Sequence, residues 1–246
     1  MLTVEQIEQY RRSGFVNGGP VLDDSTVAVL QAEVLRVIDQ RENPAVPQPV
    51  RLVNLSSDPD SPIWQIVNIW QASPPFQALI RHPSIAAMAL ELTGAKELRV
   101  WHDQVQYKPK EKGGRLHWHQ DSPLWPTLQP KDAQLSAWVA LDDADADNGC
   151  MFMVPGSHRW GNRQQFLDQI PQGGQLPEEI DGQPLHIIMC PVKKGHVHFH
   201  HSLTWHGSGT NHSSRPRRAI AIHFMTERTT FDATGDHVMK VFITVP

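Results

Sequence analysis

The 246-residue chain has few cysteines, no long apolar run and only a small net charge. It contains two cysteines, Cys150 and Cys190, and a chain of this length does not need a disulfide, so two buried free thiols are predicted. No apolar run approaches the roughly 18 residues of a membrane span, and the charged first residues lack the apolar segment of a signal peptide. The formal net charge of −4 does not indicate a nucleic-acid or membrane-surface partner. The sequence therefore predicts a cytoplasmic protein, and leaves its oligomeric state open.

Residues 1–97 are predicted to be mostly helix and loop. A capping box at Thr3 and Gln6, with Gly14 as a stop, predicts the first helix. Apolar residues at helical spacing predict a helix at 24–39, and proline at a helix start predicts another at 83–92. The apolar-rich residues 64–70 are predicted to be strand-like. The proline-rich residues 41–62 are predicted to form a long loop, either a connector or a lid over a substrate.

From residue 98 onward, the periodicity changes to the alternation of β-strands. The strand at 98–107 carries a polar face that includes His102, Gln104 and Gln106. Turns of glycine, proline and asparagine separate it from further strands, which are predicted at 134–141, 150–154, 185–192, 196–201, 219–225 and 238–245. Residues 157–184 are predicted to be a long excursion without regular strands. Strands of this length indicate a mainly β sandwich or barrel, with 98–246 as the core of a single domain that spans 1–246.

His119 and Asp121 are the side chains that first suggest chemistry. They lie two residues apart, and residues i and i+2 of a strand point to the same face, which His117 would share. A third ligand is needed to hold a metal, and the sequence offers several histidines: His196, His198, His200, His201, His206, His212 and His223. Two histidines and one carboxylate form the facial triad of non-haem Fe(II) oxygenases. The residues alone do not choose the third ligand, and the first three of these histidines could instead hold a second metal or pack inside the sheet.

A longer series of motifs resembles the phytanoyl-CoA dioxygenase family of Fe(II)/2-oxoglutarate-dependent oxygenases. The matches are H-x-D at 119–121, Asn148-Gly149, PGSH at 155–158, HGSG at 206–209, and an arginine at position +11 from His206. A single H-x-D recurs by chance, but this combination in this order is specific. The resemblance covers most of residues 98–225. It implies a double-stranded β-helix (jelly-roll, cupin-like) core with N-terminal flanking α-helices.

The resemblance also implies a catalytic centre. His119, Asp121 and His206 correspond to the family's iron ligands, in an enzyme that uses Fe(II), O2 and the cosubstrate 2-oxoglutarate. Arg217 corresponds to the arginine that holds the far carboxylate of the cosubstrate, since a guanidinium binds a carboxylate by two charge-assisted hydrogen bonds.

Other positions complete the cosubstrate pocket that the resemblance implies. Ser208 corresponds to the hydroxyl that assists the arginine, and Gln104 and Trp138 correspond to positions that line the cosubstrate. Arg215 and Arg218 are alternatives for the carboxylate. Strand alternation allows only one of Arg217 and Arg218 to point inward.

The implied reaction is oxidation of an unactivated C–H bond of a small molecule, with release of succinate and CO2. Asp121 favours hydroxylation, desaturation or oxidative ring closure, because related halogenases lack this carboxylate. Family substrates include acyl-CoA thioesters, osmolytes and secondary metabolites. A polar secondary metabolite, and so a role in natural product biosynthesis, is favoured by the candidate substrate contacts Trp125, His117, His102 and Gln106.

Two other classes of protein stay open on the sequence. One is a metal-dependent jelly-roll enzyme that does not use 2-oxoglutarate, which Arg217 disfavours. The other is a non-catalytic jelly roll that only binds a ligand.

Overall fold

Helices occur mainly in the N-terminal part of the chain. The computed structural model describes residues 1–56, 60–171, 174–235 and 243–244. The α-helices of these residues are α1 (Val4–Ser13), α2 (Asp24–Asp39), α3 (Pro74–Leu79), α4 (Pro83–Thr93) and α5 (Gln164–Leu167). The predictions of α1, α2 and α4 are confirmed. Helix α3 was not predicted, because six residues that begin with two prolines are too few to show a helical period.

Local sequence determines where these helices begin and end. Thr3 and Gln6 form the predicted capping box: the Thr3 hydroxyl accepts a hydrogen bond from the Gln6 backbone N–H at 3.2 Å, and the Gln6 side-chain oxygen accepts from the Thr3 N–H at 2.8 Å. Gly14 ends α1 and Gly94 ends α4, both in the left-handed conformation with φ of 84° and 66°. Helix α2 buries its predicted apolar stripe.

We expect Gly14→Ala to destabilise the protein more than Gly94→Ala does. In both, a side chain in the left-handed conformation costs about 1–2 kcal/mol. A Cβ at Gly14 would also lie 2.5 Å from His158 Nδ1 and 2.6 Å from Thr204 Oγ1, whereas at Gly94 it would meet nothing within 4 Å. Denaturant titration should show the free energy of unfolding falling by about 3 kcal/mol for Gly14→Ala and by about 1 kcal/mol for Gly94→Ala. Equal losses would mean that the contacts around Gly14 relax without cost.

Sixteen β-strands lie in the described residues. In chain order they are β1 (Phe15–Pro20), β2 (Arg51–Asn54), β3 (Trp64–Val67), β4 (Leu98–Lys108), β5 (Leu116–His119), β6 (Leu128–Gln129), β7 (Gln134–Ala140), β8 (Met151–Met153), β9 (Glu179–Ile180), β10 (Gln183–Pro184), β11 (Ile188–Cys190), β12 (His196–His201), β13 (His206–Ser208), β14 (Arg217–Thr226), β15 (Thr230–Phe231) and β16 (Ile243–Thr244).

Twelve of the strands build two antiparallel sheets that face each other, while β9 with β10 and β6 with β15 form separate two-stranded sheets. The larger sheet has the order β1-β12-β7-β14-β4-β3-β2, with β16 also paired to β4, and the smaller has the order β11-β8-β13-β5. Trp138 and Ala221 of the larger sheet share a buried cluster with Met151 and Met153 of the smaller one. The predicted mainly β, double-stranded β-helix core is therefore confirmed. Both cysteines are buried and free, as predicted.

Alternation along β14 separates the helix-covered face of the larger sheet from the space between the sheets. Ile220 and Ile222 belong to the main core together with the apolar stripe of α2 and residues of α4. Arg217, Ala219 and His223 point the other way. The inward face of β14 therefore carries polar groups toward the space between the sheets, whereas Ile220 and Ile222 on the outward face pack into the apolar core.

Short strands are where the structure departs from the sequence predictions. Residues 41–62 contain β2 as well as loop, and residues 157–184 contain α5 and the β9–β10 pair. Strands β1 and β13 were not predicted; they pair with the distant β12 and with β5 and β8. Such pairings depend on tertiary contacts and leave little local signal.

Two other boundaries differ. The strand-like stretch at 64–70 ends at Val67, because Asn68 adopts a left-handed conformation with φ of 54° and a 3₁₀ turn follows. Of the predicted strand at 238–245, residues 243 and 244 form β16, and the rest lies outside the described residues.

Candidate metal centre and active site

Three side chains able to bind a metal meet between the two sheets. His119 ends β5, Asp121 follows it, and His206 begins β13 directly opposite His119. Nε2 of His119 and Nε2 of His206 lie 3.8 and 3.5 Å from Asp121 Oδ1. One ligand atom from each residue lies within 4.8 Å of the other two. Within the described ranges, no other trio of histidine, cysteine, aspartate or glutamate side chains comes together in this way.

Asp121 reaches this position through a turn. Strand β5 ends at His119, and Asp121 has helical backbone angles (φ −70°, ψ −60°) at the start of a 3₁₀ turn. Its N–H donates to the Ser202 carbonyl at 3.0 Å. The expectation that strand alternation alone places Asp121 beside His119 is therefore wrong, because the strand stops before the carboxylate.

Backbone carbonyls fix both imidazole rings. His119 Nδ1 lies 2.8 Å from the His117 carbonyl oxygen, and His206 Nδ1 lies 2.9 Å from that of Thr204. A carbonyl can only accept, so each Nδ1 carries the hydrogen and each Nε2 keeps its lone pair. This tautomer is the one that a metal-binding histidine needs, and the second hydrogen bond orients its ring.

The two oxygens of Asp121 have different partners. Oδ2 accepts hydrogen bonds from Ser136 Oγ at 2.6 Å and from His200 Nε2 at 3.0 Å. Since the Ser136 hydroxyl donates to Asp121, it must accept from His223 Nδ1, 2.7 Å away. Oδ1 is left facing the two histidines, so the carboxylate presents one oxygen to a metal.

The electrostatics keep this group ready for a cation. Burial alone would raise the pKa of Asp121, but His206 and the hydrogen bond from His200 hold it well below its usual range. Burial lowers the pKa of His119 to about 3. Burial would lower the pKa of His206 as well, but the Asp121 carboxylate raises it above its usual value. The ionised carboxylate of Asp121 and the neutral imidazole of His119 are the forms that bind a metal, and His206 binds one through Nε2 when its ring is neutral.

Arg217 supplies a buried positive charge close to this group. It is fully buried, and its guanidinium carbon lies 5.5 Å from the centre of the Trp138 ring. Nη2 donates to the Gly149 carbonyl at 3.1 Å and to Ser208 Oγ at 3.4 Å, whereas Nε and Nη1 have no partner among the residues that the structure describes. Buried donors without partners are rare in proteins and indicate that a ligand supplies the acceptor.

The other two arginines of this segment are engaged elsewhere. Arg218, on the outward face of β14, forms a two-pronged ion pair with Asp142, with both N–O distances at 2.7 Å. Arg215 pairs with Asp145 at 2.6 Å on the surface. Arg217 is therefore the arginine of the three that points into the barrel.

A cavity of about 850 Å³ opens beside the three candidate ligands. His119 and Asp121 line it together with polar and aromatic side chains, among them Gln104, Gln106, His117, Trp125 and His223. Ser56 and Ser61 of the predicted loop at 41–62 also line it. A small cavity of about 30 Å³ shares several of these residues and adds Trp138, His206 and Ser208. The metal group thus borders a substrate-sized space and a small pocket that is lined by Trp138 and Ser208, the side chains that contact Arg217.

The comparison with known proteins agrees with this architecture. The family model for phytanoyl-CoA dioxygenase (PhyH) matches residues 10–219. The chain belongs to the phytanoyl-CoA dioxygenase family. As a member it is an Fe(II)/2-oxoglutarate-dependent dioxygenase, an oxidoreductase.

Individual members and solved structures extend over nearly the whole chain. Ectoine dioxygenase from Bordetella parapertussis is 30% identical over 254 residues, which cover 94% of this chain and 78% of that protein. The non-haem α-ketoglutarate-dependent epimerase SnoN from nogalamycin biosynthesis is 27% identical, with a TM-score of 0.76 over 94% of this chain and 86% of SnoN. The carbocyclase SnoK from the same biosynthesis is 25% identical, with a TM-score of 0.77 over 100% of this chain and 97% of SnoK.

The predicted substrate contacts of this family member lie at different depths. Trp125 is buried and lines the large cavity, as do Gln106 and the exposed His117. His102 lies further in, with its ring edge-on to Trp125 at 5.5 Å and next to His223 at 4.5 Å. The first three line the cavity, whereas His102 packs against Trp125 and His223.

Sequence reasoning missed the roles of several residues around the site. Ser136 and His200 donate hydrogen bonds to Asp121, and His223 donates one to Ser136. These bonds join residues of different strands, so the sequence alone did not indicate them. Lys108 lies on the same face of β4 as Gln104 and Gln106, and the period-two alternation of this strand could have identified it.

In the described residues, no helix is long and apolar enough to cross a membrane.

Proposed function

We propose that this dioxygenase oxidises an unactivated C–H bond of a small, polar natural product, coupled to conversion of 2-oxoglutarate to succinate and CO2. Hydroxylation and oxidative ring closure are the two outcomes that we consider. One observation carries the proposal: a two-histidine, one-carboxylate group borders a cavity of about 850 Å³ and, through Ser208, a buried arginine with two guanidinium nitrogens that have no partner among the described residues. Residues 1–246 would act as one domain, since β1, β2 and β3 of the N-terminal flank join the larger sheet.

His119, Asp121 and His206 would hold the iron. The donor set fits Fe(II), because two neutral imidazole nitrogens and one carboxylate oxygen form a facial triad with open positions for other ligands. Both Nε2 atoms carry free lone pairs, and Oδ1 is the uncommitted oxygen of Asp121. Bound iron would supply the activation of O2 that C–H oxidation requires.

The cosubstrate would lie between the iron ligands and Arg217. The bare Nε and Nη1 of Arg217 and the hydroxyl of Ser208 are suited to its far carboxylate. Trp138 of β7 would form one wall of the cosubstrate pocket, and Gln104 of β4 would present its side-chain amide to the same pocket. These groups would orient the cosubstrate and would not themselves be oxidised or reduced.

The substrate would occupy the larger cavity. Trp125 is buried beside His223 with ring centres 4.8 Å apart, so it forms a fixed wall that excludes water from the metal group. Gln106 and His117 present hydrogen-bonding groups to the same space. The lining combines amide, imidazole and indole groups with aliphatic side chains such as Leu55, Ile63 and Leu167, and so suits a molecule that has hydroxyl or carbonyl groups as well as apolar surface. The similarity to SnoN and SnoK, both from nogalamycin biosynthesis, supports a natural product as substrate.

A substrate-dependent oxygen-consumption screen tests this function. The iron-loaded protein with 2-oxoglutarate should consume O2 and form succinate faster when its substrate is present. The panel should contain ectoine, acyl-CoA thioesters, aromatic polyketides and glycosylated polyketides, because these represent distinct sizes and polarities. We expect a response among the polar polycyclic compounds. A response confined to an acyl-CoA thioester would refute the substrate class, and failure to bind 2-oxoglutarate at all would refute the cosubstrate site.

A further inference from the structure

A second buried basic side chain, that of Lys108, lies beside Arg217. Lys108 is the last residue of β4 and Arg217 the first of β14, and the two are direct cross-strand partners. Both side chains are fully buried on the inward face. Like charges directly opposite each other in a sheet are unfavourable, and burial removes the water that would screen them. This placement calls for a compensating interaction.

Protein groups in the described residues compensate the pair only in part. Lys108 Nζ donates to Ser208 Oγ at 2.7 Å and to the Gly209 carbonyl oxygen. Among the described residues, no carboxylate lies within ion-pair distance of either Lys108 or Arg217; the nearby Asp142 pairs with Arg218. Burial and the neighbouring Arg217 lower the pKa of Lys108 well below its usual value. An anion that enters this pocket would favour the protonated amine of Lys108 and compensate the charge of Arg217.

The hydroxyl of Ser208 connects the two cations to the cavity. A hydroxyl has one hydrogen to donate and two lone pairs to accept with. Lys108 Nζ and Arg217 Nη2 both donate to Ser208 Oγ, so they occupy its lone pairs. Its own hydrogen must then point elsewhere, and Ser208 lines the small cavity that it shares with His119 and His206. Ser208 is thereby held as a donor toward that cavity.

We propose that Lys108 is a cosubstrate-positioning residue: together with Arg217 it orients the Ser208 hydroxyl, and its charge helps to retain the far carboxylate of 2-oxoglutarate. This inference rests on the proposed function, in which Arg217 and Ser208 receive that carboxylate. It makes the pocket selective for dicarboxylic 2-oxo acids, since a 2-oxo acid without the far carboxylate would leave both cations uncompensated. A lysine whose only role was the hydrogen bond to the Gly209 carbonyl would give no such selectivity.

Two cosubstrates that differ only in the far carboxylate separate these roles. Dissociation constants of 2-oxoglutarate and of 2-oxopentanoate should be measured anaerobically on the iron-loaded protein by isothermal titration calorimetry. For Lys108→Met, we expect the affinity for 2-oxoglutarate to fall by about 10-fold or more, the typical effect of losing a hydrogen bond to a charged group. The affinity for 2-oxopentanoate should stay within about two-fold of the wild-type value. Equal losses for both ligands, or an unchanged affinity for 2-oxoglutarate, would overturn the proposal.

Further variants keep the test decisive. Lys108→Gln retains a donor but removes the charge, so it should give the same selective loss to a smaller degree, and it replaces Lys108→Met if that variant does not fold. Ser208→Ala should remove most of the additional effect of Lys108→Met in the double variant, since the lysine acts through this hydroxyl. Arg217→Leu in the same assay separates the two hypotheses. If it leaves 2-oxoglutarate binding unchanged, the proposed cosubstrate site is wrong; if it weakens binding and Lys108→Met does not, only the role of Lys108 is wrong.

Discussion

His206→Ala should leave the protein folded but without the weak visible absorption band of its Fe(II)–2-oxoglutarate complex. His206 is one of the three side chains whose ligand atoms converge between the sheets. Without it, one imidazole and one carboxylate would remain to hold the metal. We expect the iron affinity to fall by more than about 100-fold, beyond the effect of changes to residues that only support a metal ligand. Anaerobic titration of the metal-free protein with Fe(II), in excess 2-oxoglutarate, measures both the band and the affinity.

His196→Ala is the matched control for this experiment. His196 is half-buried at the start of β12 and lines a separate surface depression with Lys193 and Asp143. This variant should keep the band and the iron affinity. A band of full intensity in His206→Ala would show that another histidine binds the iron, and His200 or His223 would then be the first to examine, because both lie beside Asp121.

Arg217→Leu should weaken 2-oxoglutarate binding by about 100-fold or more while iron binding persists. The reason is the loss of paired hydrogen bonds between charged groups, each of which contributes about 1.5–3 kcal/mol. Leucine is chosen because Arg217 is buried against Trp138, where an apolar side chain can pack. Calorimetry with 2-oxoglutarate on the iron-loaded protein gives the affinity, and Fe(II) titration without cosubstrate gives the metal affinity.

Arg215→Leu controls for the loss of a positive charge in the same segment. Arg215 pairs with Asp145 at the surface, an interaction worth only about 0–1 kcal/mol. Its replacement should leave cosubstrate affinity within about two-fold of the wild-type value. Normal 2-oxoglutarate binding in Arg217→Leu would instead favour a jelly-roll metal enzyme that does not use this cosubstrate.

The helices show how far local sequence reaches. Thr3, Gln6 and Gly14 predicted both ends of α1, because capping hydrogen bonds and the left-handed stop involve residues at most four positions apart. The predicted stripe of α2 is buried for the same reason: a period of 3.6 residues shows which face meets the core. By contrast, β1 forms only because the remote β12 offers a partner edge, and its own six residues include two glycines and a proline.

The metal group shows both the reach and the limit of motif reasoning. The motifs singled out His119, Asp121 and His206 among many histidines, and the structure brings these three together. The expectation that strand alternation places Asp121 beside His119 was wrong, because β5 ends at His119 and the carboxylate reaches the two histidines from a turn. A motif records which residues occur together, but it carries no information on the backbone path between them.

Sequence patterns were enough to identify the family, the helices with clear caps and the long strands, and to place Arg217 and Arg218 on opposite faces of one strand. Those features depend on residues close in the chain or on motifs in a fixed order. The side chains that contact Asp121 and Arg217 became evident only in the folded chain. The hydrogen bond of Lys108 to Ser208 spans 100 residues, and that of His200 to Asp121 spans 79. Such contacts exist because the sheets bring remote strands together, so no local pattern encodes them.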